Sequence, residues 1–108
     1  MPGMTSAIRD SGTMAAYTIG HITVKDAQKW EEYRNQVPAT LEPCGAELIF
    51  RGKRVAVLSG DHHRTDTVVI RFPSHEAIMQ WHDSAAYQAL IPLREEAADI
   101  DMISYEAT

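Results

Sequence analysis

Apolar residues recur along the chain with two different periods, one typical of strands and one typical of helices. The segment YTIGHITV, residues 17 to 24, is rich in β-branched and aromatic residues and predicts a first strand. Asp26 follows it as a suitable N-cap for a helix. That helix is predicted from apolar residues three or four positions apart, namely Ala27, Trp30, Tyr33, Val37 and Leu41. Pro38 lies inside the run, so we expect the helix to kink or restart there.

The middle of the chain carries β-like runs on either side of a glycine. Gly45 is expected to end the first helix in a left-handed conformation. The sequence AELIFRGKRVAVLSGD, residues 46 to 61, predicts a β-hairpin that turns at Gly52 and Lys53. A polar loop, DHHRTD, separates it from TVVIRF at residues 67 to 72, which has the strongest strand pattern in the chain.

The last third of the chain predicts helical segments followed by a strand. Ser74 is expected to cap a second helix, and Asp83 or Ser84 to end it and cap a further segment that Pro92 should bend. IDMISYEA, residues 100 to 107, predicts the final strand. The resulting β-α-β(β)-β-α-β order is typical of an α+β protein with a ferredoxin-like, antiparallel sheet.

The chain length fits one domain. Its 108 residues suffice for a single core. We expect residues 1 to 14, which are polar and rich in small side chains, to form a flexible N-terminal extension, and residues 15 to 108 to form the single ferredoxin-like domain. Whether Met1 or Met14 is the true start is left open by the sequence.

Composition argues against several classes of protein. The net charge of -5, with ten Lys and Arg among fifteen Asp and Glu, opposes nucleic-acid binding. No apolar run approaches the roughly 20 residues that span a bilayer, and the N-terminal segment lacks the apolar centre of a signal peptide. The single cysteine, Cys44, excludes an internal disulfide and is compatible with a reducing compartment, so we expect a cytoplasmic protein.

No metal or cofactor site is predicted. His62 and His63 are adjacent in a loop, so their side chains diverge and cannot chelate as a helical pair would. No phosphate-binding glycine motif occurs either, because Gly45, Gly52 and Gly60 are all typical of turns or bulges.

Alternation along the strands sorts the side chains onto two faces of the sheet. The face expected to lie against the helices is almost wholly apolar: Ile22, Val24, Leu48, Phe50, Leu58, Val68, Ile70, Phe72, Ile100 and Met102. The opposite face mixes apolar and charged residues: Tyr17, Ile19, His21, Glu47, Ile49, Arg51, Val55, Val57, Val69, Arg71, Ile103 and Tyr105. A mixed face is too apolar to leave in water and too charged for a monomer's core. We therefore predict a homodimer that joins two sheets into a barrel, with the reservation that a β-bulge would exchange the faces beyond it.

Several motifs resemble a bacterial family of domains of unknown function, DUF1330. RFPSHEAIMQWHDSAAYQAL is similar to its pattern FPS-x-E-A-x-x-W-x-x-S-x-x-Y-Q, and Y-x-x-x-x-I-x-V-x-D occurs at residues 17 to 26. W-x-x-Y at 30 to 33, Gly45, the Arg51-Gly52 pair and Gly60 also agree. The resemblance covers residues 17 to 106. It implies a cytoplasmic, dimeric α/β barrel of ferredoxin-like subunits without an established activity.

Three positions depart from the family pattern. Cys44 stands where an aromatic residue is usual, Ala46 replaces a second glycine, and His82 replaces a tyrosine. The first two relax the turn after the helix. The third removes any contribution of a tyrosine hydroxyl at that position.

Residues 81 to 94, WHDSAAYQALIPLR, admit two interpretations. In the first, Trp81 and Tyr87 simply pack the helices onto the sheet, as aromatic residues at helical spacing usually do. In the second, a pocket opens between helices and sheet, with Trp81 as an aromatic wall and Tyr87 and Arg94 donating hydrogen bonds to an anionic or phenolic ligand. Tyr87 and Arg94 share one helical face, as the second interpretation requires. Tyr33 is a further ligand-binding candidate.

His21 lies in the middle of the first strand, on the mixed face. Glu47, Arg51 and Arg71 share that face, and they are predicted with His21 to belong to the dimer interface, where buried charges must be paired. We expect Glu47 and Arg71 to reach His21. The alternative role of His21 is that of a general base held near neutrality by a carboxylate.

Two classes of function follow. The leading hypothesis is a small homodimer with a pocket for a small organic molecule, and as an enzyme it would perform cofactor-free, monooxygenase- or isomerase-like proton-transfer chemistry with His21, Tyr87 and Arg94 as candidate catalytic residues. The alternative is a non-catalytic stress-response or binding dimer, in which the same residues serve packing and the interface. The two are distinguished by whether a concave, partly polar cavity opens beside Trp81 and Tyr87.

Overall fold

A computed structural model of the protein describes residues 15 to 108. The predicted N-terminal extension, residues 1 to 14, lies outside the described residues. The elements follow in the order β1 (Ala16–Val24), α1 (Ala27–Leu41), a 3-10 turn (Glu42–Cys44), β2 (Glu47–Lys53), β3 (Asp66–Phe72), α2 (His75–Asp83), α3 (Ala85–Gln88), α4 (Ile91–Ala97) and β4 (Ala98–Glu106).

The strands form one antiparallel sheet in the order β2-β3-β1-β4. Helix α1 connects β1 to β2, and helices α2 to α4 connect β3 to β4. The two strands of each pair are not adjacent in the sheet, which is the split βαβ arrangement. The predicted ferredoxin-like α+β fold is therefore confirmed.

The predicted helix starts are confirmed by their hydrogen bonds. The Asp26 side chain accepts from the backbone N–H of Lys29 at 3.0 Å, and the Ser74 hydroxyl accepts from that of Ala77 at 3.1 Å. Gly45 has a φ of 69°, the left-handed conformation expected after the first helix. Helix α1 continues through Pro38 to Leu41, so it does not restart at the proline.

Ser84 ends one helix and begins the next. Its hydroxyl donates to the carbonyl of Trp81 at 2.7 Å and accepts from the backbone N–H of Tyr87 at 3.2 Å. The predicted further segment is then divided into α3 and α4. The break precedes Pro92, which lies in the first turn of α4, where its missing N–H has no helical partner to lose.

The predicted hairpin at Gly52 and Lys53 is wrong. Strand β2 runs through both residues and pairs with β3, while residues 54 to 65 connect the two strands without regular structure. Val55 and Leu58, in the expected second strand, are 97% and 95% exposed, so Leu58 does not belong to the helix-covered face. Strand β3 takes the pairing position beside β2, so the local β-propensity of residues 55 to 58 is overridden by pairing between distant segments.

A β-bulge in β2 reverses two predicted side-chain orientations. The pairing of β2 with β3 shifts register between Leu48 and Phe50, which makes Ile49 the extra residue. Phe50 then pairs opposite an outward residue of β3 and lies on the face away from the helices, where its ring packs over Gly52. Arg51 pairs opposite Val68 and lies on the helix-covered face. Both assignments based on alternation are corrected by the bulge.

The core lies between the helices and the covered face of the sheet. Phe72, Trp81 and Tyr87 are its largest fully buried side chains, with ring centroids 5.5 Å apart for Phe72 and Trp81 and 4.2 Å apart for Trp81 and Tyr87. Ile22 and Ile70 from the predicted apolar face are buried as expected. The aromatic rings thus fix α2 and α3 to the sheet.

The opposite face of the sheet is not covered by any described element of the chain. Phe50, Ile103 and Tyr105 expose 54%, 42% and 47% of their surface on it. Tyr17, Ile19 and Val69 lie between them on the central strands and are half-buried. The chain therefore presents an apolar sheet surface of the kind that normally contacts another structure.

Replacing Ser84 with alanine tests the double cap. The change removes one acceptor for a helix N–H and one donor to a helix carbonyl, so we expect the free energy of unfolding to fall by about 1–2 kcal/mol. Urea unfolding followed by circular dichroism measures this. Ser59→Ala, at an exposed loop serine, is the matched control and should change stability by less than about 0.5 kcal/mol. Equal stability of the two variants would contradict the capping role.

Candidate functional site

A cavity of about 90 Å³ lies between helix α1 and the sheet. Its lining is predominantly apolar, with aromatic walls from Trp30, Tyr33 and Trp81. The other lining residues are Gly20, Ile22, Arg34, Val37, Pro38, Leu41, Leu48, Arg51, Asp66, Thr67, Val68, Ile70, Ile100 and Met102. Apolar concave sites with a few polar groups are the usual form of small-molecule sites.

The cavity is shaped by the regular spacing of α1. Trp30, Tyr33, Val37 and Leu41 project from one side of the helix, as their sequence spacing predicts, and the rings of Trp30 and Tyr33 stack with centroids 5.3 Å apart. On the floor, Gly20 of β1 leaves space because it has no side chain. An added Cβ there would come within 3.1 Å of Val68.

A buried chain of hydrogen bonds leads away from the cavity. The hydroxyls of Tyr33 and Tyr87 are 2.7 Å apart, and Arg94 Nη1 donates to the Tyr87 hydroxyl at 3.0 Å. Tyr87 is fully buried and lies behind Tyr33, so Tyr33 is the member of the chain that lines the cavity. Two residues from the segment 81 to 94 are thus joined to a residue of α1.

Within this series of hydrogen bonds, the electrostatics favour a neutral Tyr33 and a charged Arg94. Burial raises the pKa of Tyr33 well above its usual range, and the neighbouring Tyr87 hydroxyl adds to the effect. Burial alone would lower the pKa of Arg94, but its hydrogen bonds to Tyr87 and Glu95 outweigh that effect and raise it. The guanidinium therefore holds the tyrosine pair in place as a permanent donor.

Trp81 belongs to the core and to the cavity wall at the same time. Its indole N–H donates to the hydroxyl of Thr40 at 2.9 Å, and that hydroxyl donates to the carbonyl of Val37 at 2.6 Å. This link between α2 and α1 satisfies a buried polar atom and fixes the ring. The packing interpretation and the pocket interpretation of Trp81 are therefore compatible.

A second, more polar groove of about 340 Å³ lies between α2 and strand β4. Arg94 and His82 line it, together with Ser104, whose hydroxyl is 3.0 Å from His75 Nε2. Trp81 and Met102 separate this groove from the cavity, because they line both. The hydrogen bonds that join Tyr33, Tyr87 and Arg94 thus run from the cavity to the groove.

His21 lies on the opposite face of the sheet, away from the cavity. Its Nδ1 is 3.3 Å from the Thr67 hydroxyl, and its ring centroid is 5.0 Å from that of His62. The expectation that Glu47 and Arg71 reach His21 is wrong: they pair with each other at 3.4 Å. The register explains this, because Arg71 stands opposite residue 17 of β1, four positions from His21.

Sequence reasoning missed the two positively charged residues of the cavity, Arg34 and Arg51. Arg34 lies four residues after Trp30 on α1, so helical spacing already placed the two on neighbouring positions of one side. Arg51 was expected on the other face, with the dimer-interface candidates. The bulge that turns it toward the cavity has no clear signal in the sequence, since Ile49 fits a regular strand equally well.

The fold and the helix-covered cavity place the protein in the ferredoxin-like class of α+β proteins. The chain belongs to the family of the domain of unknown function DUF1330, whose model matches residues 15 to 108. No curated protein matches the sequence significantly. No helix within residues 15 to 108 combines the length and the apolar character needed to cross a membrane.

Three solved structures illustrate the similarity in fold. A protein of unknown function from Rhodopseudomonas palustris aligns with a TM-score of 0.76 and 15% identity, over 100% of this chain and 94% of its own. SnoaB, a cofactor-independent oxygenase from Streptomyces nogalater, aligns with a TM-score of 0.60 and 10% identity, over 89% and 94%. A dimeric ferredoxin-like protein of unknown function from Thermobifida fusca gives 0.60 and 13%, over 88% and 92%.

The buried hydroxyl of Tyr33 predicts a loss of stability in alkali. Above about pH 10 the unfolded chain releases the Tyr33 proton, while the folded protein retains it because its pKa is raised. The free energy of unfolding should then fall by up to about 1.4 kcal/mol per pH unit for this group, while its contribution is constant at lower pH. Urea unfolding between pH 9 and 11 measures the slope.

Tyr33→Phe should make that alkaline slope shallower by about one proton. Val37→Ala, a change in the same helix that removes no titrating group, is the control and should leave the slope as it is. An unchanged slope in Tyr33→Phe would show that its hydroxyl does not stay protonated in the folded protein.

Proposed function

We propose that the protein is a homodimer in which each subunit binds a small, largely apolar organic molecule in the cavity beneath helix α1. The observation that carries this proposal is the cavity itself, enclosed by aromatic rings and placed between the helix layer and the sheet. A molecule that fits this cavity would bury its apolar surface against the walls. Removal of that surface from water would drive binding.

The polar groups around the cavity support selective binding. Tyr33 is the cavity-lining end of the hydrogen-bond chain, and Arg94 and Tyr87 restrain its hydroxyl from behind. A restrained donor or acceptor loses little entropy when it contacts a ligand. Tyr33 would therefore orient the bound molecule, while Tyr87 and Arg94 would act as positioning residues and not as direct contacts.

The uncovered face of the sheet supports self-association. Its central strands present Ile19 and Val69, and its flanking strands present Phe50 and Ile103, so the apolar surface is continuous across the sheet. A second copy of the chain offers the same surface, and two such faces would pack sheet against sheet. The similar protein from Thermobifida fusca is described as dimeric, which favours the same assembly here.

The loop of residues 54 to 65 would extend this interface. Val55 and Leu58 protrude into solvent, whereas the end of the loop is anchored to the sheet by Arg64, whose Nε lies 3.3 Å from Asp101 Oδ2. The His62 ring lies against His21 on the uncovered face. A partner on that face would lie next to this loop, and we expect the exposed side chains of Val55 and Leu58 to contact it.

A cofactor-free enzyme is the second candidate function. It is favoured by the similarity to SnoaB, described as a cofactor-independent oxygenase, and by the buried tyrosine pair at the cavity. In that case Tyr33 would contact the substrate. His21 would not act in this cavity, because it lies on the other face of the sheet. A non-catalytic stress-response or binding dimer would use the same cavity without a reaction.

Breaking the sheet surface tests the dimer. Ile103→Glu introduces a charge that would be buried against the partner without a counter-charge, so we expect the dimer dissociation constant to rise by at least about 100-fold. Leu58→Glu in the loop should weaken the dimer as well. Sedimentation velocity over a range of concentrations measures both effects.

Met79→Glu is the matched control for the dimer. Met79 is similarly exposed, at 45%, but lies on helix α2, so the variant should remain dimeric. A wild-type protein that is monomeric at micromolar concentration would refute the dimer. Equal effects of Ile103→Glu and Met79→Glu would refute the sheet-to-sheet arrangement.

Filling the cavity tests ligand binding. We expect the uncharged probes phenylacetamide and 4-methylvaleramide to shift the NMR signals of cavity residues, including the indole N–H of Trp81. Val37→Phe should abolish these shifts, because the larger ring occupies the cavity, while Val37→Ala should preserve them. The absence of shifts for amides and for the corresponding carboxylates at millimolar concentrations, or equal binding to Val37→Phe, would refute the proposed site.

A further inference from the structure

Two arginines stand at the rim of the cavity beneath α1. Arg34 projects from the helix and is half-buried, and Arg51 projects from strand β2 and is more exposed. They come from opposite walls, since one belongs to the helix layer and the other to the sheet. Arg51 reaches this position only because the bulge at Ile49 turns it to the helix side.

Neither guanidinium has a counter-charge within the described part of the chain. No carboxylate of residues 15 to 108 lies within 4.0 Å of either group. Asp66 also lines the cavity, but its carboxylate accepts from the Thr65 hydroxyl at 2.7 Å and lies 3.7 Å from Lys53 Nζ. The protein as a whole is acidic, with a net charge of -5, so this concentration of positive charge is local.

The two arginines influence one another. Partial burial lowers the pKa of Arg51, and the positive charge of Arg34 lowers it further. Two like charges beside an apolar cavity are an unfavourable arrangement for an empty site. An anion between them would remove the repulsion and pair with both guanidinium groups.

We propose that the molecule bound in this cavity is a small organic carboxylate, with its apolar tail against Trp30 and Tyr33 and its carboxylate between Arg34 and Arg51. This inference rests on the proposed function, since it specifies the ligand of the same cavity. Guanidinium groups match the planar geometry of a carboxylate. The apolar walls favour an organic acid over simple inorganic anions, which would bring no apolar surface to bury.

The cavity volume limits the tail. At about 90 Å³ the cavity is smaller than the roughly 150 Å³ site that holds a benzene molecule in another protein. A branched four- or five-carbon tail fits it best, and a single ring fits only if it extends toward the opening. The carboxylate would then lie toward solvent, beside the half-buried Arg34 and the exposed Arg51.

Matched acids and amides test the inference. Phenylacetate and 4-methylvalerate have the same skeletons as phenylacetamide and 4-methylvaleramide but carry a negative charge. We expect each acid to bind at least about tenfold more tightly than its amide, as charge-assisted hydrogen bonds do over neutral ones. Titrations monitored by NMR measure the dissociation constants. Added salt should weaken the binding of the acids and leave the binding of the amides unchanged, because salt screens the charge of partly exposed arginines.

Replacing each arginine tests whether Arg34 and Arg51 cause the preference for acids over amides. Arg34→Gln and Arg51→Gln should each weaken acid binding by about tenfold without changing amide binding. Lys29→Gln is the matched control, because it removes one positive charge from the same helix at a residue that pairs with Glu96 and does not line the cavity. It should leave the binding of both kinds of probe as in the wild type.

The outcomes separate the two proposals. If the amides bind as tightly as the acids, the inference about carboxylates is refuted while the proposed ligand site stands. If no probe binds, the proposed site itself is refuted, and the inference with it. If Lys29→Gln weakens acid binding as much as the two arginine variants do, the preference reflects general charge, and the specific role of Arg34 and Arg51 is refuted.

Discussion

A sheet has two faces, and the helices of this protein cover one of them. The covered face is held by Phe72, Trp81 and Tyr87, whose rings pack α2 and α3 against the central strands. Helix α1 lies over the same face but leaves a cavity in place of a complete contact. The core, the cavity and the uncovered apolar surface all follow from this one-sided covering, because every strand residue must point either to the helices or away from them.

Much of this could be predicted from the sequence, since local signals agreed with the final fold. Asp26, Ser74 and Ser84 cap the helices as their positions indicate, and β1, β3 and β4 lie within two residues of the predicted ranges. The hairpin failed because β-propensity alone does not choose a partner strand. Residues 55 to 58 have the composition of a strand, but β3 competes successfully for the edge of β2.

The candidate site was predictable only in part, for reasons of geometry. Tyr87 and Arg94 share one helical face, and the structure does bring them into hydrogen-bonding contact, although a short break divides their helices. The partner that joins them to the cavity, Tyr33, lies 54 residues from Tyr87 in the chain. A contact of that range depends on how α1 crosses the sheet, and local spacing does not determine it. The position of Arg51 on the cavity side of the sheet depended on one extra residue in β2.

That extra residue connects the two faces of the molecule. At Ile49 the alternation of β2 is reversed, so that Phe50 is added to the uncovered apolar surface and Arg51 to the rim of the cavity. In a regular strand the arginine would lie on the surface proposed for the partner subunit, as a charge requiring compensation, and the phenylalanine would point toward the cavity. One irregularity thus makes the proposed interface more apolar and the proposed ligand site more positive, and both properties depend on the register between β2 and β3.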